Sequence, residues 1–240
     1  MRGDYESALD VAERGLRVAP ESLVLLGDMA EALLRLKRSD EACTWCRCGL
    51  DVREDDCRLL RLRAEALLQR GKDAEALSAA EEGLKACPED YRMRLIDGQA
   101  LATMNRQEEA LKRFDSALDV RPDGLDALLA RGDMLLELRQ AKKAVACYAK
   151  VLSKQPERFH ALHMRAVGFT ALGLHKEALP LYKKAAELRP DSERALVDLG
   201  VCLTIMEQYE DALGVFDCVL KVDAESYHAL CEKGVVLSKL

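Results

Sequence analysis

Residues 91–124 read YRMRLIDGQALATMNRQEEALKRFDSALDVRPDG. Two segments of about fourteen residues lie in this stretch, each with apolar or small residues at i, i+3, i+4 and i+7, the spacing of one helix face. Asp90 sits where a helix N-cap belongs, and Pro122 stops the second segment. Outward steps of 34 residues return the same features. Pro88, Pro156 and Pro190 occupy the slot of Pro122, Pro20 falls two periods before Pro88, and Glu54 and Ala224 take the remaining slots. Ala110 belongs to a column reading Ala8, Ala42, Ala76, Ala110, Ala144, Ala178 and Ala212. With Ala at 33 of 240 positions, chance fills such a column on the order of once in a million, so the period is a repeat.

A second column, Ala30, Ala64, Gly98, Gly132, Ala166, Gly200 and Gly234, holds nothing larger than a methyl group, as close helix packing demands. Three residues further on, every period has a large apolar residue: Leu33, Leu67, Leu101, Leu135, Phe169, Leu203 and Leu237. The residues before the first segments are Ser22, Asp56, Asp90, Gly124, Arg158, Ser192 and Ser226, and all but Arg158 are residue types that cap helices. The reading is an all-α solenoid of about 14 antiparallel helices. It comprises a half repeat over 1–22, full repeats over 23–56, 57–90, 91–124, 125–158, 159–192 and 193–226, and a half repeat over 227–240, all in one array.

Composition agrees. The 240 residues are 49% apolar but only 5% aromatic, with 32% charged residues and few Gly and Pro, a mixture that favours helix over strand. The net charge of −6 and the absence of a long basic block argue against nucleic acid as partner. No apolar run reaches the roughly 20 residues of a membrane span, and Met1-Arg2-Gly3-Asp4-Tyr5-Glu6 lacks a signal-peptide core, so a soluble, cytoplasmic chain without membrane contact is expected. The nine cysteines show no disulfide framework, and reduced thiols are the default.

The period, the Ala/Gly column at Ala30, the Ala column at Ala42, the large residues at Phe114, Tyr148, Tyr182 and Phe216, and the prolines at Pro88 and its equivalents resemble the tetratricopeptide repeat family. The resemblance implies a right-handed superhelix whose first helices line a concave groove for an extended peptide or a partner helix. By similarity, the inward positions hold Val24, Gly27, Glu31; Arg58, Arg61, Glu65; Arg92, Leu95, Gln99; Asp126, Leu129, Asp133; His160, His163, Val167; Arg194, Val197, Val201; and His228, Cys231, Val235.

Among these, Arg58 and Arg61 share a helix face at i, i+3, and Arg92 is expected beside them, so three guanidiniums stand ready for a carboxylate or phosphate. The competing reading pairs Arg61 with Glu65 at i, i+4 and leaves the others solvated. His160 and His163 share a face, with Arg194 beside them and His228 two repeats on, a polar lining rather than a metal site. Val167, Val197, Val201 and Val235 make the C-terminal half of the groove the more apolar one, which suits a protein or peptide ligand with an acidic segment and an apolar end. The Lys-and-Asn clamp of chaperone-binding members is absent, since Gly27, Glu31, Leu62, Arg92 and Ile96 stand there. The inward asparagine ladder of protein O-GlcNAc transferases is absent too, Asn105 being the only asparagine.

Cys43, Cys46, Cys48 and Cys57 form the one metal-like cluster, but the first pair falls inside a helix and no second CxxC follows, so Cys43 and Cys46 read as small buried hydrophobes. Trp45 reads as partly buried. No phosphate loop, nucleophile elbow or HExxH is present, and neither a cofactor, a metal nor catalysis is expected. Leu230, Val235, Val236, Leu237 and Leu240 give the last helix an apolar face, expected either to be continued in a longer chain or to support end-to-end self-association through 227–240. The leading expectation is a non-enzymatic interaction scaffold. The alternative is a substrate-recruiting or regulatory arm of a larger enzyme such as a glycosyltransferase.

Overall fold

The computed structural model describes residues 2–240 and is all-α, with fourteen helices and no strand among the described residues. The helices are α1 (Arg2–Val18), α2 (Leu23–Arg35), α3 (Ser39–Val52), α4 (Cys57–Gln69), α5 (Asp73–Ala86), α6 (Tyr91–Thr103) and α7 (Gln107–Val120). They continue as α8 (Leu125–Glu137), α9 (Ala141–Lys154), α10 (Phe159–Ala171), α11 (His175–Leu188), α12 (Glu193–Ile205), α13 (Tyr209–Val222) and α14 (Tyr227–Leu237). Seven first helices thus begin at 23, 57, 91, 125, 159, 193 and 227, each 34 residues from the last. The expected start of the leading half repeat at Met1 lies outside the described residues.

Side-chain capping is sparser than the cap residues imply. Asp56 accepts from Leu59 N at 3.0 Å, Asp90 from Met93 N at 2.9 Å and Ser226 from Ala229 N at 3.3 Å, whereas Ser22 and Ser192 stand at the N-cap without a side-chain bond. A different device starts the second helices. Lys37, Gly71, Asn105, Arg139, Gly173 and Glu207 all have positive φ, between 57° and 73°. In the first of these turns Arg38 N donates to Leu33 O at 2.9 Å and Lys37 N to Leu34 O at 3.1 Å, a left-handed helix end that satisfies otherwise orphaned carbonyls.

The chain divides into two compact units, residues 1–127 and 128–240. In the first unit α2, α4 and α6 pack in succession, whereas the backbones of α3, α5 and α7 stay apart. Two apolar clusters hold this unit: Leu26, Leu33, Leu34 and Leu62 around Cys46, and Leu60, Leu67, Met93 and Ile96 around small alanines. In the second unit Tyr182, Leu199, Leu203, Phe216 and Val236 form one cluster. Each buried leucine contributes on the order of 2 kcal/mol by leaving water.

The periodic columns explain the packing. Ala42, Ala76, Ala110, Ala144, Ala178 and Ala212 are fully buried, while Ala8 on α1 is exposed. A β-carbon on Gly98, Gly132 or Gly200 would come within 2.5–2.7 Å of the rings of Phe114, Tyr148 and Phe216. Glycine and aromatic ring are therefore two halves of one contact. Where the small column is Ala30 or Ala64, the ring column holds Cys46 or Ala80. Ala166 with Tyr182 is the exception, and that phenol sits 3.2 Å from Thr170 Oγ1.

Candidate functional site

In the first unit the expected arginine cluster is already occupied by carboxylates. Arg58, on α4, donates to Asp28 Oδ1 at 2.6 Å and Glu31 Oε2 at 2.9 Å, both on α2. The hydrogen bond from Arg58 holds the Glu31 carboxyl below its ordinary range, and its further positive neighbours outweigh the opposing effect of burial. Arg61 donates to Asp90 Oδ2 at 3.1 Å, the same aspartate that caps α6. Glu65 faces Arg35 at 3.9 Å, so the i, i+4 pairing of Arg61 with Glu65 is not the one formed. Arg92 and Gln99 are exposed, and Arg92 alone of the three arginines has no ion pair among the described residues. Asp28, Glu31, Arg35 and Arg58 line a cleft of about 700 Å³ together with Val11 and Leu25 of α1 and α2.

The second unit places the remaining candidates in three environments. Leu129 and His163 are buried, at 6% and 5% exposure, which corrects their expected groove-lining role. His163 packs face to face on Phe159 with centroids 5.8 Å apart, meets the Tyr182 ring edge-on, and approaches Asp198 Oδ2 at 2.7 Å through Nε2. Its face of α10 is turned inward because the aromatic column of α11 lies against it. Asp133 accepts from Tyr148 Oη at 2.6 Å, and His160 Nε2 lies 2.9 Å from its other oxygen. Burial, reinforced by the Asp133 charge, pushes the Tyr148 phenol far above its usual range, so it remains a donor.

Arg194, Val197 and His228 line a cleft of about 350 Å³ with Glu193 and Asp198. Val201 continues the half-buried wall of α12 one turn on. The two carboxylates in this cleft are spoken for: Glu193 accepts from Ser226 Oγ at 2.6 Å, and Asp198 is the partner of His163. Arg194 and His228 are exposed, and neither has a hydrogen bond or ion pair to another side chain among the described residues.

The cysteine reading needs one correction. Cys57 and Cys87 form a disulfide with Cα atoms 5.9 Å apart. The repeat brings the first residue of α4 beside the C-cap of α5, a proximity that a sequence separation of 30 conceals. Cys46 is buried, its thiol pushed up to about 12 by desolvation; Cys43 is half-buried and Cys48 exposed. Trp45 is half-buried against the first apolar cluster. No group of three or more His, Cys, Asp or Glu converges on a metal position, and no helix is long and apolar enough to cross a membrane, among the described residues.

The acidic partners of this region, Asp28, Asp90 and Asp198, were not among the sequence candidates. The only signal for them is their offset of 29–35 residues from the basic side chain they meet, just short of or just beyond one period, which places them at the neighbouring first helix.

Residues 97–159 match the family described as tetratricopeptide repeat, and residues 134–232 match the Psidin N-terminal TPR repeats region. The chain belongs to the tetratricopeptide repeat family. Solved tetratricopeptide structures share its fold. MamA 41-end from Desulfovibrio magneticus RS-1 is 23% identical with a TM-score of 0.67, over 71% of this chain and 97% of that one. YrrB, described as a TPR protein with an unusual peptide-binding site, is 18% identical with a TM-score of 0.62, over 77% and 95%. The APC/C hetero-tetramer Cut9-Hcn1 matches 98% of this chain and 46% of that one, with 12% identity and a TM-score of 0.80. At these identities the likeness is one of fold. No curated protein matches the sequence.

Proposed function

We propose that this tetratricopeptide array is a non-enzymatic, cytoplasmic scaffold, read as six full repeats between two half repeats, that binds a protein segment along its first helices. Repeat arrays commonly present such extended surfaces. The acidic segment expected of the ligand is assigned to the cleft between α12 and α14. There Glu193 and Asp198 are bonded to Ser226 and His163, while Arg194 and His228 make no hydrogen bond or ion pair to another side chain among the described residues and Val197 supplies an apolar wall. That imbalance carries the reading, because an uncommitted guanidinium and an exposed imidazole beside two committed acids favour an anionic group on the ligand. Arg58 and Arg61 are bound to acids of their own and serve the first unit as internal ties.

Affinity purification followed by crosslinking identifies the partner, and Arg194→Ala combined with Val197→Glu tests the cleft. At least a tenfold loss of affinity for the crosslinked partner is expected; unchanged affinity overturns the assignment. We further read the exposed Tyr227, Leu230, Leu237 and Leu240 as a surface for self-association. Sedimentation at rising concentration tests this reading, and a monomer throughout counts against it.

A further inference from the structure

The gap between α5 and α7, floored by α6, is closed by three charged side chains. Arg113 on α7 places Nη2 3.2 Å from Glu81 on α5 and Nε 3.3 Å from Asp97 on α6. One period earlier, between α3 and α5, the same three positions are Arg47, Ala79 and Arg63. The signs are inverted at the two outer positions, and the central side chain is cut back to a methyl group. The result is an open cleft of about 1280 Å³, with Arg47, Arg63 and Ala79 among its lining. In the second unit one of these outer pairs, Asp217 and Lys233, is joined at 2.5 Å. Glu81 and Asp97 share Arg113 between them, but Arg47 and Arg63 have no ion pair or hydrogen bond among the described residues, although Arg63 is half-buried.

A half-buried cation is stabilised by a counter-charge, and the position between Arg47 and Arg63 carries only the methyl group of Ala79. We propose that the cleft between α3 and α5 is a second binding site, on the second-helix side of the array, which takes one anionic side chain of a partner peptide, a carboxylate or a phosphate, into the space beside Ala79. The remaining lining sets the flanks of that anchor. Asp40 is held by Arg70 at 2.6 Å and Glu75 by Lys72 at 2.6 Å, but Asp51, Glu54, Asp55 and Glu82 also face the cleft. These acids repel a generally acidic segment and favour basic residues on either side of a single anion. The ligand is therefore a lysine- or arginine-rich peptide with one acidic or phosphorylated residue at its centre.

Three fluorescent heptapeptides test this on the full chain: KRKEKRK, its phosphoserine counterpart in place of the glutamate, and its glutamine counterpart. Fluorescence anisotropy is expected to give the glutamate or the phosphoserine peptide at least a tenfold tighter dissociation constant than the glutamine peptide, the size of one charge-assisted hydrogen bond. Which of the two is tighter identifies carboxylate or phosphate as the source. Arg63→Gln is expected to erase the preference, and so is Ala79→Glu, which supplies the missing anion from within and should not lower the melting temperature. Arg58→Ala, on the opposite face of α4, leaves the preference intact. Equal binding of all three peptides by the wild type, or a preference that survives both Arg63→Gln and Ala79→Glu, overturns the proposal.

Discussion

The ring of Phe114 occupies the volume that a β-carbon on Gly98 would need, with Cε1 2.5 Å from that position. Gly98→Ala must therefore displace the ring or separate α6 from α7. A destabilisation of about 1–3 kcal/mol is expected from overpacking, reduced by the better helix propensity of alanine. Phe114→Ala leaves a cavity and costs about 3–5 kcal/mol. The two changes together are expected to cost less than their sum, because the alanine then has room. Chemical denaturation of both single variants and the double variant measures this coupling, and strict additivity would contradict the contact.

Asp97 is fully buried beside Arg113, and neither carboxylate oxygen has a hydrogen bond. Desolvation raises its pKa to about 6, with Arg113 opposing the shift. The folded state thus holds the proton more tightly than the unfolded chain, whose value is near 3.8. Below pH 3.8 the group is protonated in both states and costs nothing. As pH rises from about 4 through 6 it must ionise inside the fold, and stability falls by about 3 kcal/mol at most. Asp97→Asn is expected to stabilise the protein at pH 8 and to leave it unchanged at pH 4. Urea midpoints at the two pH values check the sign.

Reduction of Cys57–Cys87 opens a loop with a sequence separation of 30. The chain-entropy model assigns such a loop about 3–4 kcal/mol. Thermal melts with and without a phosphine reductant are expected to differ in that direction, and a Cys57→Ser variant should melt like the reduced wild type and ignore the reductant.

Lys37, Arg139 and Glu207 hold left-handed backbone, with φ of 63°, 57° and 61°, at the positions where Gly71 and Gly173 stand in other repeats. Replacing any of the three with glycine is expected to gain up to about 1 kcal/mol by removing the steric cost of the β-carbon. Gly71→Ala is expected to lose a similar amount. Denaturation midpoints of these surface variants decide the matter, since none of the side chains is part of a core.

Much of the candidate site was hidden for a definite reason. Period and family resemblance placed Arg58, Arg61, His163 and Arg194 on first helices, and Arg194 and His228 do share a cleft. They did not reveal that Asp28 and Glu31 bind Arg58, that Asp90 serves both Arg61 and the α6 cap, or that Asp198 meets His163 in the interior. Such partners lie on the neighbouring helix, and their choice depends on side-chain reach rather than on any column. Leu129 and His163 were misplaced because a first helix buries more than one face, and periodicity alone does not say which face meets the adjoining second helix.

By itself the sequence determined the all-α repeat, the 34-residue spacing of the first helices and the small columns that let them approach, because helix faces and close packing repeat with the chain. Tertiary structure alone decided which charges are paired, which cysteines are joined, and where left-handed turns recur under Lys, Arg and Glu. It also revealed that Arg47 and Arg63 flank an empty place where the next repeat puts Arg113 between two acids. Each of those outcomes depends on distances between helices, and such distances are set only when the helices pack.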